Sequence, residues 1–456
     1  MSCWSGCAAS LWETPAEMRV ERLGTSDVAR LGDLIDVAEH LRALVPGGAS
    51  VEEDVREILA RVYAEGDEAV LDYTRRFDTA GNDPRDLIVA AEELDAAIKE
   101  LPLELIAGLQ VAIANVATVA QAGVDEGKTV QLPQGQRVTL REVPVRTAAV
   151  YVPGGRAPYP STVVMGVVTA RAAGVLDVVV CSPPGADGQI DRTILGTCRL
   201  CGVESVYRIG GAQAIAALAY GTETVSPVDV VVGPGNLYVQ EAKRQLAATV
   251  GIDGFAGPSD LVAILGEEAG EREVGLVALD MLAQAEHGAG SLVVAISPNP
   301  ETLDALAQTL ERLVVTRPTV GDAACAIVEV ADTRAAVELA NEFAPEHLEL
   351  IGADVEALAP IVRSAGCLFV GAASATAFGD YVAGSNHILP TGGSARFASA
   401  LGPSHFCRRM AEVRIAHGAL EELIRAGAPI ARAEGFTAHA DSMRARVPDI
   451  VENSSG

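Results

Sequence analysis

Glu346 and His347 stand side by side directly after Pro345, in the stretch APEHLEL that spans residues 344–350. The good helix formers over 334–342 predict a helix that Pro345 ends, so both residues would lie in a turn between a helix and a strand. An acid and an imidazole together can supply the proton transfers of general acid and base catalysis. A solvated glutamate beside a histidine that bonds a buried carbonyl is the alternative, and these two residues alone do not decide between the two interpretations.

A second set of side chains has the ligand types of a metal site. Gln284 and His287 are three residues apart at the end of a helix predicted over 273–287, so they share one face of it. Asp380 lies in a glycine-rich segment, and His439 lies near the C-terminus. Nitrogen and oxygen ligands of these kinds suit zinc and leave it able to polarise an alcohol. The spacing contains no local two-histidine motif, and a single histidine is more often a structural group.

Glycines at predicted strand ends indicate where a nucleotide would bind. Three loops each follow a predicted strand and precede a predicted helix: Pro153-Gly154-Gly155, Gly210-Gly211 and Gly233-Pro234-Gly235. Ligands of open parallel sheets bind at such strand ends, where glycine lets the backbone approach a phosphate or a ring. Ordinary tight turns are the alternative for any one of these loops. The dinucleotide motif GxGxxG is absent because Tyr238 takes the place of its third glycine, so a nicotinamide cofactor would bind without the usual pyrophosphate turn.

Two regions of alternating strands and helices must position these side chains. Apolar residues at three- and four-residue spacing predict helices over most of 18–128. Strands and helices then alternate over 147–249 and again over 261–370, which predicts an α/β fold with two parallel sheets covered on both faces. Residues 372–397 are predicted to form a loop, and 401–446 an amphipathic helical tail.

Composition narrows the function classes. The chain has 456 residues and a formal net charge of -27, which disfavours nucleic acid and anionic membranes as partners. No uncharged apolar run of about 18 residues is present, so we predict no transmembrane helix. Residues 1–17 lack the features of a secretory signal, and the eight scattered cysteines indicate reduced thiols in the cytoplasm. The single CxxC at Cys198–Cys201 lacks the second pair of a zinc ribbon. No GxSxG motif occurs.

Taken together, the motifs resemble histidinol dehydrogenase over about residues 20–446. The strings that carry the resemblance are VYVPGGRAPYPSTVVMG (150–166), GGAQAIAALAYGTE (210–223), VDVVVGPGNLYVQEAKRQL (228–246), IDGFAGPSD (252–260), LAQAEHG (282–288), EFAPEHLEL (342–350) and FGDYVAGSNHILPTGG (378–393). They are long, specific and in the matching order. The resemblance implies oxidation of L-histidinol to L-histidine through the aldehyde, with two NAD and one zinc ion per subunit, as the last steps of histidine biosynthesis.

The same resemblance implies a fold. It consists of two tandem Rossmann-like parallel-sheet domains, similar to those of aldehyde dehydrogenases, with helical N- and C-terminal extensions in an intertwined homodimer. In this chain it would give an N-terminal helical segment over 1–43, a substrate and zinc domain over 44–149 plus 260–400, and an NAD-binding domain over 150–259. The tail over 401–456 would complete the site of the partner subunit.

The resemblance also implies roles for individual residues. The zinc ligands would be Gln284, His287, Asp380 and His439, and the catalytic pair would be Glu346 and His347. The substrate would contact Ser259 and Glu434 besides the zinc ligands and His347, and NAD would contact Tyr151, Gln213 and Asn236.

Two departures from the family pattern and three competing functions remain. Val230 stands where the family pattern has a lysine, and Asp260 stands where it has a glutamate; neither position has a catalytic role. A zinc and NAD dehydrogenase of the same superfamily could act on another small polar alcohol, such as a sulfonated diol. An aldehyde dehydrogenase would need a nucleophilic cysteine, for which Cys325 and Cys367 are the candidates. A zinc-stabilised protein without activity is the third alternative.

Overall fold

Short apolar strands form the two parallel sheets of this chain, and central strands such as β9 and β10 are buried on both faces. The computed structural model describes residues 20–45, 50–154, 157–255, 257–288, 290–317, 320 and 323–447. The described residues form a six-stranded parallel sheet in the order β1-β11-β10-β9-β12-β13, a five-stranded parallel sheet in the order β6-β5-β4-β7-β8, and a three-stranded antiparallel sheet in the order β14-β3-β2. The strands are β1 (Val20–Leu23), β2 (Lys128–Gln131), β3 (Gln136–Pro144), β4 (Thr147–Tyr151), β5 (Asp177–Ser182), β6 (Ser205–Arg208), β7 (Val230–Val232), β8 (Gly251–Ile252), β9 (Asp260–Leu265), β10 (Leu292–Ser297), β11 (Ala324–Glu329), β12 (His347–Ile351), β13 (Cys367–Val370) and β14 (Cys407–Ile415).

Helices cover both faces of each parallel sheet. They are α1 (Thr25–Leu31), α2 (Leu34–Arg42), α3 (Glu52–Glu65), α4 (Asp67–Phe77), α5 (Ala91–Glu100), α6 (Leu103–Ala122), α7 (Pro160–Ala172), α8 (Arg192–Leu200), α9 (Gly211–Tyr220), α10 (Leu237–Leu246), α11 (Glu271–Ala285), α12 (Pro300–Val314), α13 (Thr333–Phe343), α14 (Ala353–Glu356), α15 (Thr376–Tyr381), α16 (Leu420–Ala433) and α17 (Thr437–Arg444). The two sheets with their helices confirm the predicted α/β class with parallel sheets.

The helices of 52–122 pack differently from the predicted division. Side chains of α3 and α4 share a buried cluster with β4, β6, β7, α9 and α10, and those of α5 and α6 share one with β4, β5, α7 and α8. In contrast, β1 and α2 belong to the six-stranded sheet, because β1 pairs with β11 and α2 packs against α13. The expected assignment of 44–149 to the domain of 260–400 therefore does not match the packing, because the apolar faces of α3–α6 are buried against the five-stranded sheet.

The C-terminal part is not helical throughout. Residues 407–415, which we predicted as part of a helix, form β14 and pair antiparallel with β3 from Cys407 opposite Pro144 to Ile415 opposite Gln136. The helices α16 and α17 then pack on each other around Ile424, in a small cluster of their own. Similarly, the segment predicted as a loop over 372–397 contains α15, which carries Asp380. Residues 355–364, in the region where strands and helices were predicted to alternate, contain only the end of α14 and a short 3-10 turn.

One helix is apolar enough to be tested as a membrane span. By length and composition alone, Leu103–Ala122 could cross a bilayer. Along one side, however, Leu109, Ala112 and Val116 are buried in the cluster that α6 shares with the five-stranded sheet. The opposite side exposes Val111 and Val119. Helix α6 therefore packs as a helix of the α/β unit with one uncovered apolar face.

Candidate active site

The residues with catalytic chemistry meet at the amino ends of β9 and β12. These neighbouring parallel strands place His347 opposite Leu261, so Ser259 and Asp260 at the start of β9 lie beside Glu346 and His347 at the start of β12. Helix α13 ends at Phe343, Ala344 has a positive φ of 48°, and Pro345 follows, which turns the chain into β12. The predicted helix, turn and strand around the acid and imidazole pair are present.

Glu346 is buried and is held by the start of β9. Its Oε2 accepts hydrogen bonds from the Ser259 hydroxyl and from the Asp260 backbone N–H at 3.0 Å. The Glu346 N–H in turn donates to Asp260 Oδ1 at 2.6 Å, so the two acids fix each other through their backbones. Burial raises the pKa of Glu346, although the nearby His347 opposes this shift. Burial and the charge of Glu346 raise the pKa of Asp260 to about 7. Such a site favours carboxyl groups that can carry a proton near neutral pH.

His347 lies between two carboxyl groups. Its Nε2 is 3.5 Å from Asp380 Oδ1, and its Nδ1 is 3.8 Å from Glu346 Oε2. Burial alone would lower the pKa of His347, but the hydrogen bond to Asp380 and the charge of Glu346 outweigh it and raise this pKa to about 9. Among the described residues, buried Nδ1 has no hydrogen-bond partner. An unpaired imidazole nitrogen in a buried site is available to a ligand that enters it.

The hydrogen bonds of Gln284 and His287 occupy one polar atom of each side chain and leave the other as a possible metal ligand. Gln284 Nε2 donates to Ser259 Oγ at 2.7 Å, which leaves the amide oxygen as the ligand end of that side chain. His287 follows the end of α11 at Ala285, two residues earlier than predicted, and its Nδ1 lies 3.0 Å from the Gln284 backbone carbonyl. A histidine that donates one ring N–H to a carbonyl presents its other nitrogen to metal. This donor set fits zinc.

Asp380 is the carboxylate of the same cluster. Burial opposes its ionisation, but the hydrogen bond and charge of His347 outweigh burial and lower the pKa of Asp380. His387, which the sequence analysis did not assign, positions this residue: its Nδ1 is 2.9 Å from the Asp380 carbonyl and its Nε2 is 3.2 Å from Thr162 Oγ1 on α7. Burial lowers the pKa of His387, so it acts as a neutral positioning group. The one sequence signal for His387 is its position in the string FGDYVAGSNHILPTGG, which also contains Asp380.

Within one chain, the other two predicted tail residues lie apart from this cluster. Glu434 and His439 are both exposed, at the end of α16 and on α17, and the His439 ring packs against Phe436 at 5.3 Å between centroids. Over the part of the chain that is described, no three His, Cys, Asp or Glu side chains are placed to hold a metal ion. The cluster instead brings together two such side chains, His287 and Asp380, with the amide oxygen of Gln284 as a third ligand group.

The three residues predicted to contact NAD line one pocket at the carboxyl ends of β4, β6 and β7. This cavity of about 630 Å³ is lined by Tyr151, Gln213 and Asn236, together with glycines and prolines of the adjoining loops. Tyr151 accepts a hydrogen bond at its hydroxyl from the Gly211 N–H at 3.1 Å, where α9 begins, and Asn236 caps the start of α10. Two helices thus begin at this pocket, and helix starts at the carboxyl ends of parallel strands are where phosphates bind. The pocket fits a nucleotide part of NAD.

A buried ion pair shapes the turn beneath this pocket. Lys243 on α10 donates to the Gly233 carbonyl and, at 2.8 Å, to Asp253, while the Gly233 N–H donates to the other oxygen of Asp253 at 2.6 Å. Gly233 has φ of +114°, and a Cβ there would lie 2.1 Å from the Tyr151 carbonyl oxygen, so only glycine fits. The sequence analysis missed this pair, because a lysine ten residues after the glycine gives no local signal.

The described cysteines give no support to the aldehyde dehydrogenase alternative. Cys325 is buried, and burial raises its pKa to about 12; burial also raises the pKa of Cys367. Cys198 and Cys201 are buried free thiols whose pKa values are raised by the same cause. A nucleophilic thiol needs a lowered pKa, so none of these four is activated.

Comparisons with known proteins point to one family. A family model described as histidinol dehydrogenase matches residues 47–447. The chain is 42% identical over 402 residues to a histidinol dehydrogenase of a Synechococcus species, covering 87% of this chain and 92% of that protein. It is 42% identical over 418 residues to one of Rhizobium meliloti, covering 90% and 95%. A crystal structure of histidinol dehydrogenase from Elizabethkingia anophelis superposes with a TM-score of 0.86 at 28% identity, covering 96% of this chain and all of that one.

Proposed function

The chain belongs to the histidinol dehydrogenase family and is an oxidoreductase, and from this premise we propose that it oxidises L-histidinol to L-histidine through the aldehyde, with two NAD and one zinc ion per subunit. The observation that supports this proposal best is that Glu346, His347 and Asp380 lie beside Gln284 and the exposed His287 at the amino ends of β9 and β12. Its relatives at about 40% identity are histidinol dehydrogenases, which disfavours a sulfonated diol as the substrate. The reaction belongs to the cytoplasm.

Gln284, His287 and Asp380 would hold the zinc ion from this chain. Zinc, when bound, supplies a positive charge that polarises the alcohol and aldehyde oxygens, and NAD, when bound, accepts the hydride of each oxidation. A cation held by Asp380 would offset the negative charge that raises the pKa of His347. This would favour the neutral imidazole that a general base requires.

His347 is the base for both oxidations, first of the alcohol and then of the aldehyde hydrate. Its unpaired Nδ1 lies on the Glu346 side of the ring, and its Nε2 faces Asp380, so either nitrogen lies inside the buried cluster. The imidazole takes the hydroxyl proton of the substrate as the alcohol is oxidised. Burial of the ring, of which 4% is exposed, excludes bulk water from this transfer.

Glu346 serves the aldehyde step. The aldehyde must first gain water to form the hydrate, and that step requires an acid or base. Burial raises the pKa of Glu346, which favours a carboxyl that can give and take a proton in this step. The Ser259 hydroxyl and the Asp260 N–H fix its Oε2 and leave the other oxygen to face the water.

A homodimer would bring the tail to this site. Glu434 and His439 lie exposed on α16 and α17, and we assign them to the substrate and zinc of the partner subunit. The tail also exposes apolar side chains, including Val413, Ile430 and Phe436 at 57%, 60% and 55%. Exposed apolar groups in such a segment fit a face that a second copy covers. Neither nucleic acid nor membrane is required as a partner.

The stoichiometry of NADH tests this function. Two NADH formed per L-histidinol, lost with a chelator and restored by zinc, is the expected result. One NADH per substrate would instead indicate a different alcohol or a reaction that stops at the aldehyde. Turnover that persists at full rate after zinc has been removed and measured as absent would contradict the zinc site.

A further inference from the structure

One carboxylate in the wall of the cofactor pocket has no role in the function proposed above. Asp78 directly follows α4 and lines the pocket together with Phe77, Tyr151 and Gln213. Its Oδ2 is 3.4 Å from Gln213 Nε2, a long hydrogen bond, and its Oδ1 lies against Gly210, where a Cβ would come within 3.2 Å of it. The residue is half-buried, and no ion pair of Asp78 occurs among the described residues.

Asp78 differs from a carboxylate that serves the fold. Asp229, at the start of the neighbouring strand β7, accepts hydrogen bonds from the Arg146 N–H and from the N–H and hydroxyl of Thr147. Those bonds outweigh its burial and lower the pKa of Asp229. Burial instead raises the pKa of Asp78 to about 7, since its single long bond does not offset the loss of water. Asp78 lines the pocket, and its carboxylate oxygens can accept further hydrogen bonds there.

The lining of the pocket identifies the part of a dinucleotide that this carboxylate meets. None of Ser259, Gln284, His287, Glu346, His347 or Asp380 lines the pocket, so it holds the end of the cofactor remote from the reacting carbon. Its described walls are largely apolar, including Ile58 and Pro184, and suit an adenine ring. They contain no lysine or arginine to bind a phosphate on the ribose.

We propose that Asp78 binds the 2′- and 3′-hydroxyls of the adenosine ribose of NAD and excludes the 2′-phosphate of NADP. This inference rests on the proposed use of NAD. Two vicinal hydroxyls donate to the two oxygens of one carboxylate, whereas a phosphate at the same place meets a like charge. In folds with a GxGxxG motif, an acid later in the same unit binds the ribose hydroxyls. Asp78 has this role in our proposal, and it follows a helix that lies outside the alternating strand and helix pattern.

Direct binding separates this proposal from catalysis. Isothermal titration of NAD and of NADP into the zinc-loaded enzyme would be compared for the wild type, Asp78→Asn and Asp78→Ser. We expect the Kd for NAD to rise about 10- to 100-fold in both variants, the loss of hydrogen bonds to a charged acceptor, with a smaller change or a gain for NADP. The ratio of the two Kd values should fall at least about 10-fold. Glu68→Gln, which removes an exposed carboxylate from the same helix, is the matched control and should leave the ratio unchanged.

The stability of the free protein tests the structural alternative. Because the buried carboxylate lacks compensation, Asp78→Asn should melt at the wild-type temperature or higher without cofactor. A lower melting temperature together with equal losses of NAD and NADP affinity would show that Asp78 only supports Gln213, and would overturn the proposal. An unchanged ratio in variants that bind NAD would also overturn it. If the wild type bound no NAD, the proposed cofactor itself would be wrong, and this inference would fall with it.

Discussion

The two parallel sheets of this chain use opposite edges. The five-stranded sheet presents its cofactor pocket at the carboxyl ends of β4, β6 and β7, where α9 and α10 begin. The six-stranded sheet presents its catalytic cluster at the amino ends of β9 and β12, where α11 and α13 have just ended. Helix starts favour anions and helix ends favour cations. In the proposed function, this difference would place the phosphates of NAD near helix starts and the zinc ion near helix ends, which are the termini of favourable charge for each.

This difference explains why the two sites look different in sequence. At the cofactor edge the backbone approaches the ligand, so glycines mark it, as at Gly233 with its close contact to Tyr151. At the catalytic edge side chains do the chemistry, so an acid, imidazoles and an amide mark it, held by the reciprocal bonds of Asp260 and Glu346. We therefore expect changes at the first edge to alter cofactor affinity and stability, and changes at the second to alter the chemical steps.

The largest effect is expected from His347→Asn. Removal of the base should lower the single-turnover rates of alcohol oxidation and of aldehyde oxidation by about 100- to 10,000-fold each, with the Kd for NAD within about threefold of the wild-type value. Rapid mixing with L-histidinol, and separately with the aldehyde, would give the two rates. His40→Asn, at a histidine paired with Glu21 outside the site, is the control. A His347 variant that loses NAD affinity but keeps both rates would contradict the assignment of the chemical steps to the catalytic edge.

Glu346→Gln tests whether the two residues at the catalytic edge have separate roles. The amide still accepts from Ser259 and from the Asp260 N–H, so the geometry of the turn is kept while proton transfer is lost. Oxidation of the aldehyde should therefore fall more than oxidation of the alcohol, by at least about 10-fold in the ratio of the two rates. Equal losses in both half-reactions would refute separate roles for Glu346 and His347.

A smaller effect on turnover, but a large one on stability, is expected from Lys243→Met at the cofactor edge. This variant leaves the buried Asp253 without its partner, since the side chains of Lys243 and Asp253 are only 1% and 8% exposed. Loss of one member of a buried ion pair costs about 3–5 kcal/mol of unfolding free energy. Because the turn at Gly233 loosens, the Kd for NAD should rise about 10-fold, while the rate of the chemical step at saturating NAD stays within about threefold. Urea unfolding and single-turnover kinetics would measure the two.

The double variant Lys243→Met with Asp253→Asn is the matched control. It removes the unpaired charge but keeps an oxygen that can accept from the Gly233 N–H. Stability should recover by more than half relative to Lys243→Met, because the buried charge causes most of the loss. A double variant as unstable as the single one would show that the contact to the Gly233 carbonyl, and not the charge, holds the turn.

The sequence predicted the local parts of both edges and missed the contacts between distant segments. Local patterns predicted three features: the alternation of strands and helices, the glycine loops, and the turn at Glu346 and His347. The spacing of apolar residues and the positions of glycine and proline are sufficient to predict such features. In contrast, Asp78 reaches its pocket from a helix more than 70 residues before Tyr151. The segment Cys407–Ile415 was predicted as helix because its sequence shows no clear alternation of apolar and polar residues. In the structure its side chains are mostly exposed on both faces, and pairing with β3 makes it a strand.

The places of Glu434 and His439 stay predictions for a related reason. Both belong to helices that bury little in one chain, and a site that two chains share leaves no signal in the contacts of one. The family resemblance, not spacing, suggested roles for these residues. The comparisons establish the family.

The smallest effect concerns a buried carboxyl pair that supports the catalytic edge from within. Glu349, two residues after His347 on β12, faces Asp280 on α11, the helix that carries Gln284, and Glu349 is 1% exposed. Burial raises the pKa of Glu349, and the charge of Asp280 raises it further. A hydrogen bond between Glu349 and Asp280 requires a proton on one of the two carboxyls. We therefore expect the pair to join α11 to β12 through a shared proton.

Replacement of Glu349 by glutamine should change how stability depends on pH. A carboxyl whose pKa is higher in the folded protein stabilises the fold at low pH, and this contribution is lost as pH rises above its ordinary value of 4.5. Glu349→Gln keeps a hydrogen-bond donor at every pH, so it should match the wild type near pH 5 and exceed it by at least about 1 kcal/mol near pH 9. Urea unfolding at both values would measure this, with Glu338→Gln, on exposed α13 surface, as a control that changes neither. A Glu349→Gln protein that loses stability equally at both pH values would show that α11 and β12 are joined by packing alone, and that the catalytic edge needs no buried proton to hold its helix in place.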